Sequence, residues 1–314
     1  LEALATLRHA CGDRRALHTI RRDVLAHSIF GVDIAPLAVW LTELRCWLAL
    51  VLDDETADPR RVTPLPNLDH NIRAGDALAG PAFGPTITGA RGIATLRTRY
   101  LRASGTAKRT LARRLDAAER AIARAHADAR PTALPHPRRE LLAAARARTL
   151  FGHRTGLDAA ARRTLAATRS AIADARRQQR ALATGAPLPF AFATHFADAA
   201  LAGGFDVVVG NPPWVRPHRT DTATRDTLRT HYAALSRTAT RTAFGAQPDV
   251  AAAFTLRALD LLRPDGILAL ALPAKLWRSL AGGALRARLL ADATPLALAD
   301  FGDDPTGFAA AVYP

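Results

Sequence analysis

Apolar and polar positions along the chain fall into helical and strand-like stretches that alternate. Residues 1–27 have helical periodicity, with a break at Cys11-Gly12-Asp13. His27–Asp33 reads as a short strand ending in an acid. A helix over Pro36–Leu52 follows, with proline in its first turn and Leu41, Leu44, Leu48 and Val51 on one predicted face. Residues 69–74 form a second strand with a Gly75-Asp76 end. Phe205–Gly210 and Gly266–Leu272 are short, apolar and bounded by glycine and proline, the pattern of buried parallel strands. Asp249 is placed to cap a helix over Val250–Leu262, ended by Arg263-Pro264-Asp265-Gly266, and another helix is predicted over 277–291. Two last strands are expected near 296–301 and 308–313. Strands alternating with helices predict an α/β protein with a mostly parallel sheet.

Residues 91–186 interrupt this alternation. They are rich in Arg and Ala and have helical periodicity, with Pro131, Pro135 and Pro137 splitting them into arms over roughly 92–130 and 138–182. An antiparallel helical hairpin or a pair of arms is expected. The division is therefore 1–90 as the first part of a core, 91–186 as a helical insertion and 187–314 as the second part of the core. Charge sharpens the picture. The insertion has 21 Arg and one Lys against six acids, a net of +16, whereas the whole chain is +15. Such a concentration favours a polyanionic partner, nucleic acid above all, although a solvated spacer or a protein-docking arm has the same composition.

Other features exclude chemistries. Cys11 and Cys46 make neither a disulfide framework nor a CxxC pair, and the ten histidines are scattered without metal-ligand spacing. No apolar run has the length of a membrane span, so no membrane partner is expected and the location is expected to be cytoplasmic. The lysines Lys108 and Lys275 follow Thr106 and Pro273 at the position where a PD…(D/E)xK nuclease needs an acid. The chain starts at Leu1 and has no Met, which suggests a segment of a longer protein.

The stretch richest in chemistry is Phe205–Trp214, FDVVVGNPPW. Open α/β sheets hold ligands at the carboxyl ends of their strands, and Asn211-Pro212-Pro213-Trp214 has that place here. Asn211 offers an acceptor oxygen and an NH2 donor. The prolines have fixed φ and no N–H, so their carbonyls present acceptors from a stiff turn. Acceptors side by side suit an exocyclic amino group, and accepting its hydrogens leaves the nitrogen lone pair open to attack an electrophilic methyl. Trp214 offers a flat face on which a base can stack.

GNPPW after an apolar strand resembles the catalytic motif of amino-group methyltransferases that use S-adenosyl-L-methionine. These include N6-adenine DNA, guanine-N2 RNA and protein glutamine methyltransferases. The strings GVDIAPLAVWLTELRCWL and PNLDHNIRAGDAL, and the block from DFGD to VYP, are similar to large type IIG restriction–modification and phage-exclusion adenine methyltransferases. The resemblance covers about residues 20–80 and 188–314. It implies a Rossmann-like methyltransferase sheet in the gamma order, cofactor motifs before the catalytic motif. The Gly-rich first strand is expected upstream of Leu1 and target recognition beyond Pro314, so this segment alone is expected to be inactive.

The resemblance further implies that Asp33, with Ile34, meets the cofactor ribose and that Asp76, with Ala77, receives the adenine amino group. Each acid has a local alternative, as a helix cap or a turn residue. Phe254 is a candidate contact to the cofactor adenine or equally a core residue, and residues 216–248 resemble a loop that closes over substrate. Asn211, Pro212, Pro213 and Trp214 are the implied catalytic residues, a flipped adenine in double-stranded DNA the implied substrate, and restriction or defence-system subunits possible partners. An RNA or protein methyltransferase, or a DNA-binding assembly subunit without catalysis, remain as alternatives.

Overall fold

The structure, a computed structural model, describes residues 1–52, 63–79, 83, 90–133, 139, 140, 142, 143, 157–215, 224, 228 and 249–300. The chain divides into two compact units. The first comprises Leu1–Gly75, Pro85–Phe190 and Thr194–Asp198, and the second Asp76–Gly84, Ala191–Ala193 and Ala199–Pro314.

In the first unit, α1 (Glu2–Ala10) and α2 (Leu17–His27) meet at a turn where Gly12 has φ +101°, a conformation that disfavours a side chain. β1 (Gly31–Asp33) lies parallel to β2 (Ile72–Ala74), with Asp33 opposite Ala74, and α3 (Pro36–Val51) connects them by way of the segment after it. Both strands are shorter than the sequence predicts. Ser28 closes α2, and residues 69–71 are a turn. The turn is fixed by side chains. The buried Asn71 amide donates to Ala26 O at 2.8 Å, Asn67 donates to Tyr100 O and Ala103 O, and Trp47 Nε1–H donates to Pro66 O at 3.0 Å.

α3 buries a different face from the one predicted. Leu50, Val39, Cys46 and Trp47 pack into the core with Leu25, Leu68 and Ile72, while Leu41, Leu48 and Val51 are exposed along with Leu37 and Trp40. The helix is apolar nearly all round, so periodicity alone does not select the buried side.

The insertion forms α4 (Ala90–Leu101), α5 (Gly105–Ala133) and α6 (Ala159–Ala183), with no strand among its described residues. α5 and α6 run antiparallel: Arg120 bonds Ala186 O, Arg124 bonds Leu182 O, and Asp128 accepts from Gln179. Ala123, Ala127 and Leu182 are buried along this seam. Two arginines of α5 thus complement the carbonyl end of α6, where the helix dipole favours cations.

Phe192–His195 (α7) and Ala197–Leu201 (α8) are short helices that return the chain towards the second unit. There β3 (Phe205–Gly210) lies parallel to β4 (Leu262–Leu270), and α9 (Val250–Leu261) precedes β4. Asp249 caps α9, its Oδ1 accepting from Ala251 N at 3.0 Å. The Arg263-Pro264-Asp265-Gly266 turn stands within β4 as an irregularity: Phe205 pairs with Leu262, but Val207 pairs with Ile267. Asp265 adopts φ +62°, and a Cβ on Gly266 would lie 2.9 Å from Arg263 O.

Neither strand is fully buried. Val207, Val209 and Ile267 are exposed, because each strand has one neighbour among the described residues and α9 packs on one side. The predicted 277–291 helix is broken into α10 (Lys275–Arg278), a 3-10 turn at Leu280–Gly282 and α11 (Gly283–Asp292). Residues 296–300 are exposed and form no strand, so that part of the predicted 296–301 strand is not seen; the alternating apolar residues there have no strand edge to join among the described residues. The 308–313 strand lies outside the described residues.

Candidate active site

β3 ends at Gly210, whose carbonyl accepts from Ala271 N at 3.0 Å, so the parallel ladder continues to the first residue of the loop. Beyond it Asn211 is exposed, Pro212 is buried and Pro213 is exposed. The buried proline roots the turn, and Asn211 stands at its rim. Trp214 is half-buried and donates its Nε1–H to Ala271 O at 3.3 Å, which ties the loop to the end of β4. Trp214 and Phe254 pack against the same buried cluster, built on Leu78, Leu228, Val250–Ala253, Leu276 and Leu285. Phe254 therefore has a core role, and it shares that core with the loop's aromatic residue. Asp249 is buried and pairs with Lys275 Nζ at 2.6 Å, an ion pair that joins the start of α9 to the turn after β4.

The strand-end acids share a local device. Asp33 Oδ1 accepts from Ala35 N at 2.7 Å, and Asp76 Oδ1 accepts from Leu78 N at 2.8 Å. Each carboxylate spends one oxygen on closing its own turn, and the second has no hydrogen-bond partner among the described residues. The turn role read for Asp76 is seen, whereas Asp33, read alternatively as a helix cap, closes a turn instead: the N-cap of α3 is Ala35, without a side-chain cap bond. Asp33 and Ile34 are exposed, and Asp76 and Ala77 are half-buried. Gly75 N donates to Asp33 O at 2.9 Å, which extends the parallel pairing up to the residue before Asp76. A Cβ at Gly75 would lie 2.2 Å from Phe190 Cβ, so only glycine allows this approach.

Sequence reasoning missed a buried ionic cluster in the first unit. Glu119 of α5 is 2% exposed; it pairs with Arg73 of β2, and it lies 3.5 Å from His70 Nδ1 and 3.9 Å from His195 Nε2. Burial alone would raise its carboxyl pKa, but the adjoining His70 ring and the charges of Arg73 and His195 outweigh it and hold the group below the usual glutamate range. A signal was present in the sequence. Leu111, Leu115 and Ile122 mark the buried stripe of α5, and Glu119 occupies the same stripe. His70, Asp116 and Glu119 offer ligand atoms within 4.8 Å of one another, but the Arg73 guanidinium already bonds both Glu119 and His70, in the place a metal ion would need. A second ion pair, of the buried Arg97 with the half-buried Asp198 at 2.6 Å, lies beside the Phe30 and Phe196 rings.

A family model for the Eco57I restriction-modification methylase matches residues 27–308, and the chain belongs to that family. A stretch of 58 residues is 40% identical to a protein of Methanocaldococcus jannaschii described as a putative type II restriction enzyme and methyltransferase, RM.MjaORFECS2P. That stretch is 18% of this chain and 5% of the relative, so the chain spans a small part of that relative's length. No solved structure matches. No helix among the described residues is long and apolar enough to cross a membrane.

Proposed function

We propose that this chain is the methyltransferase core of a restriction–modification or related defence protein that methylates adenine N6 in double-stranded DNA, on a Rossmann-like methyltransferase fold of the gamma order. The observation that carries the reading is the loop after β3: a buried Pro212, an exposed Asn211 and a Trp214 held to the strand end by Ala271. Membership of the Eco57I family supports a methylase acting on DNA.

The residues fit S-adenosyl-L-methionine, since two strand-end acids each keep one carboxylate oxygen for a hydroxyl or amino donor. Asp33, beside Ile34, would hold the ribose hydroxyls, and Asp76, beside Ala77, the adenine amino group. The cofactor supplies an electrophilic methyl group when bound. A target base inside a duplex must be extruded, at a cost of a few kcal/mol. Trp214 recovers part of that by stacking. Asn211 and the Pro212 carbonyl accept the N6 hydrogens, so the nitrogen lone pair faces away from the loop. No strong base is required, because the proton leaves after the nitrogen becomes cationic. The loop's lack of His or Glu is consistent with this chemistry.

The test is tritiated methyl transfer from labelled S-adenosyl-L-methionine by the full-length protein, with the product digested to nucleosides. Label on N6-methyladenine is expected. Label on cytosine, on RNA or on protein glutamine overturns the assignment. Asp33→Ala in the same protein is expected to weaken cofactor binding about fivefold to thirtyfold, the loss of one to two hydrogen bonds, while the lost bond from Ala35 N lowers the melting temperature by only a few degrees. Calorimetry showing unchanged affinity would remove Asp33 from the ribose role.

A further inference from the structure

The charge of the insertion is not spread evenly. Arg162, Arg169, Arg176 and Arg180 of α6 recur at intervals of seven, seven and four residues and are all exposed. At 100° per residue they fall within a narrow arc, together with the exposed Ala166 and Ala173. The arc lies beside the apolar face that carries Leu165, Ala175 and Leu182, not on it. The result is a ridge of four guanidinium groups over about 27 Å of helix, at 1.5 Å per residue, with no acid at the same angular positions between Arg162 and Arg180 and alanine between the first three arginines.

Three features of this ridge point to one partner. First, like charges on one helix face destabilise it unless something offsets them. The helix seam offsets the charge of Arg120 and Arg124 on α5 by pairing them with carbonyls. Among the described residues the hydrogen bond on the α6 ridge is from Arg162 Nε to the carbonyl of the N-cap Asp158, at a long 3.4 Å. Second, all four residues are arginine, the side chain whose planar fork matches phosphate bidentately. Third, the short Ala166 and Ala173 let an extended surface come close to the helix. We infer that the Arg162–Arg180 face of α6 grips the phosphate backbone of duplex DNA, as a sequence-independent contact additional to the base-handling loop after β3. The inference rests on DNA being the substrate, and it is read by a different measurement.

The experiment uses the full-length protein. Arg162, Arg169, Arg176 and Arg180 are changed together to Gln, which keeps helix propensity, and folding is checked by circular dichroism and thermal melting. Affinity for a labelled duplex is measured across a salt series, beside a variant in which the exposed Arg91, Arg99, Arg109 and Arg113 of α4 and α5 are changed to Gln. Each phosphate contact contributes about 0.9 to the slope of log affinity against log salt. The α6 variant is therefore expected to lose about 3 in slope and roughly a hundredfold in low-salt affinity, and the α4–α5 variant less than one unit of slope. Two double variants, Arg162 with Arg169 and Arg176 with Arg180, are each expected to lose about half as much, and they serve if the quadruple variant does not fold. An unchanged slope overturns the inference. So does an equal loss in both quadruple variants, which would mean a diffuse field, or a loss seen with duplex RNA alone. If the wild type transfers no methyl to DNA and the slope still falls, the methyltransferase reading fails and the DNA contact stands. If adenine is methylated and the slope does not move, the contact fails alone.

Discussion

Asn211→Ala is expected to lower methyl transfer by about a thousandfold or more, the scale on which loss of a group that orients the reacting atom acts, while DNA affinity stays within about twofold. Asn211 is exposed at the loop rim, and its side chain supports nothing in the core. Its removal should therefore leave the fold and the phosphate contacts alone. Single-turnover transfer and equilibrium binding, measured on the same full-length preparation, separate the two quantities. A variant retaining a tenth or more of the wild-type rate constant would mean that another group orients the amino nitrogen. Trp214 provides the contrast. Trp214→Ala removes stacking worth about 1–3 kcal/mol and also opens the cluster it packs against, so both binding and rate should suffer. Trp214→Phe keeps a ring and loses the bond to Ala271 O, and should retain much of both.

Glu119→Leu is expected to destabilise the protein by about 3–5 kcal/mol, because Arg73 is left as a buried charge without its partner. A fall in melting temperature of about 10 °C follows for a unit of this size. The double change Glu119→Leu with Arg73→Met removes both charges and should recover most of the loss. If the double variant is no more stable than the single, the cluster does not act as a pair. The pH dependence has a defined sign. The folded-state pKa of Glu119 lies below its ordinary 4.5. Its contribution is therefore complete above that value and is lost as pH falls through the lower folded value. Acid unfolding of the wild type below about pH 4.5 should be steeper than that of the double variant.

Much of the local layout could be read from the residues. The bounds of β3, the Asp249 cap, the break at Gly12 and the antiparallel course of the basic hairpin are set by short-range chemistry: glycine and proline punctuation, a capping carboxylate and a helical repeat. What was not legible depends on partners distant in the chain. Leu41, Leu48 and Val51 form as good a stripe as Val39, Cys46 and Leu50, and only the packing of Leu25 and Leu68 decides between them. Apolar runs at 205–210 and 266–272 suggest full burial, but a strand is covered only as far as its neighbours extend. At the candidate site, the positions of Asn211, Asp33 and Asp76 at strand ends were legible. That Asp33 closes a turn rather than capping α3 was not, because an i to i+2 bond leaves no mark in spacing. Glu119 was overlooked because one acid in an Arg-rich helix passes for surface charge balance.

The Arg73–Glu119 pair also bears on how such a protein can be shortened or diversified. A long insertion hung on a core by solvent-exposed joints could be exchanged or deleted at little cost. This one is rooted: α5 inserts a carboxylate under β2, and Asn67 bonds the carbonyls of Tyr100 and Ala103. Trimming the hairpin back to its first residues would orphan Arg73 and expose the underside of the strand that leads to Asp76. A minimal core obtained by deletion should therefore need an apolar replacement at Arg73 made at the same time. Natural length variation in this region is then more easily accommodated at the far end of the α5–α6 hairpin, beyond the level of Glu119, than at its base.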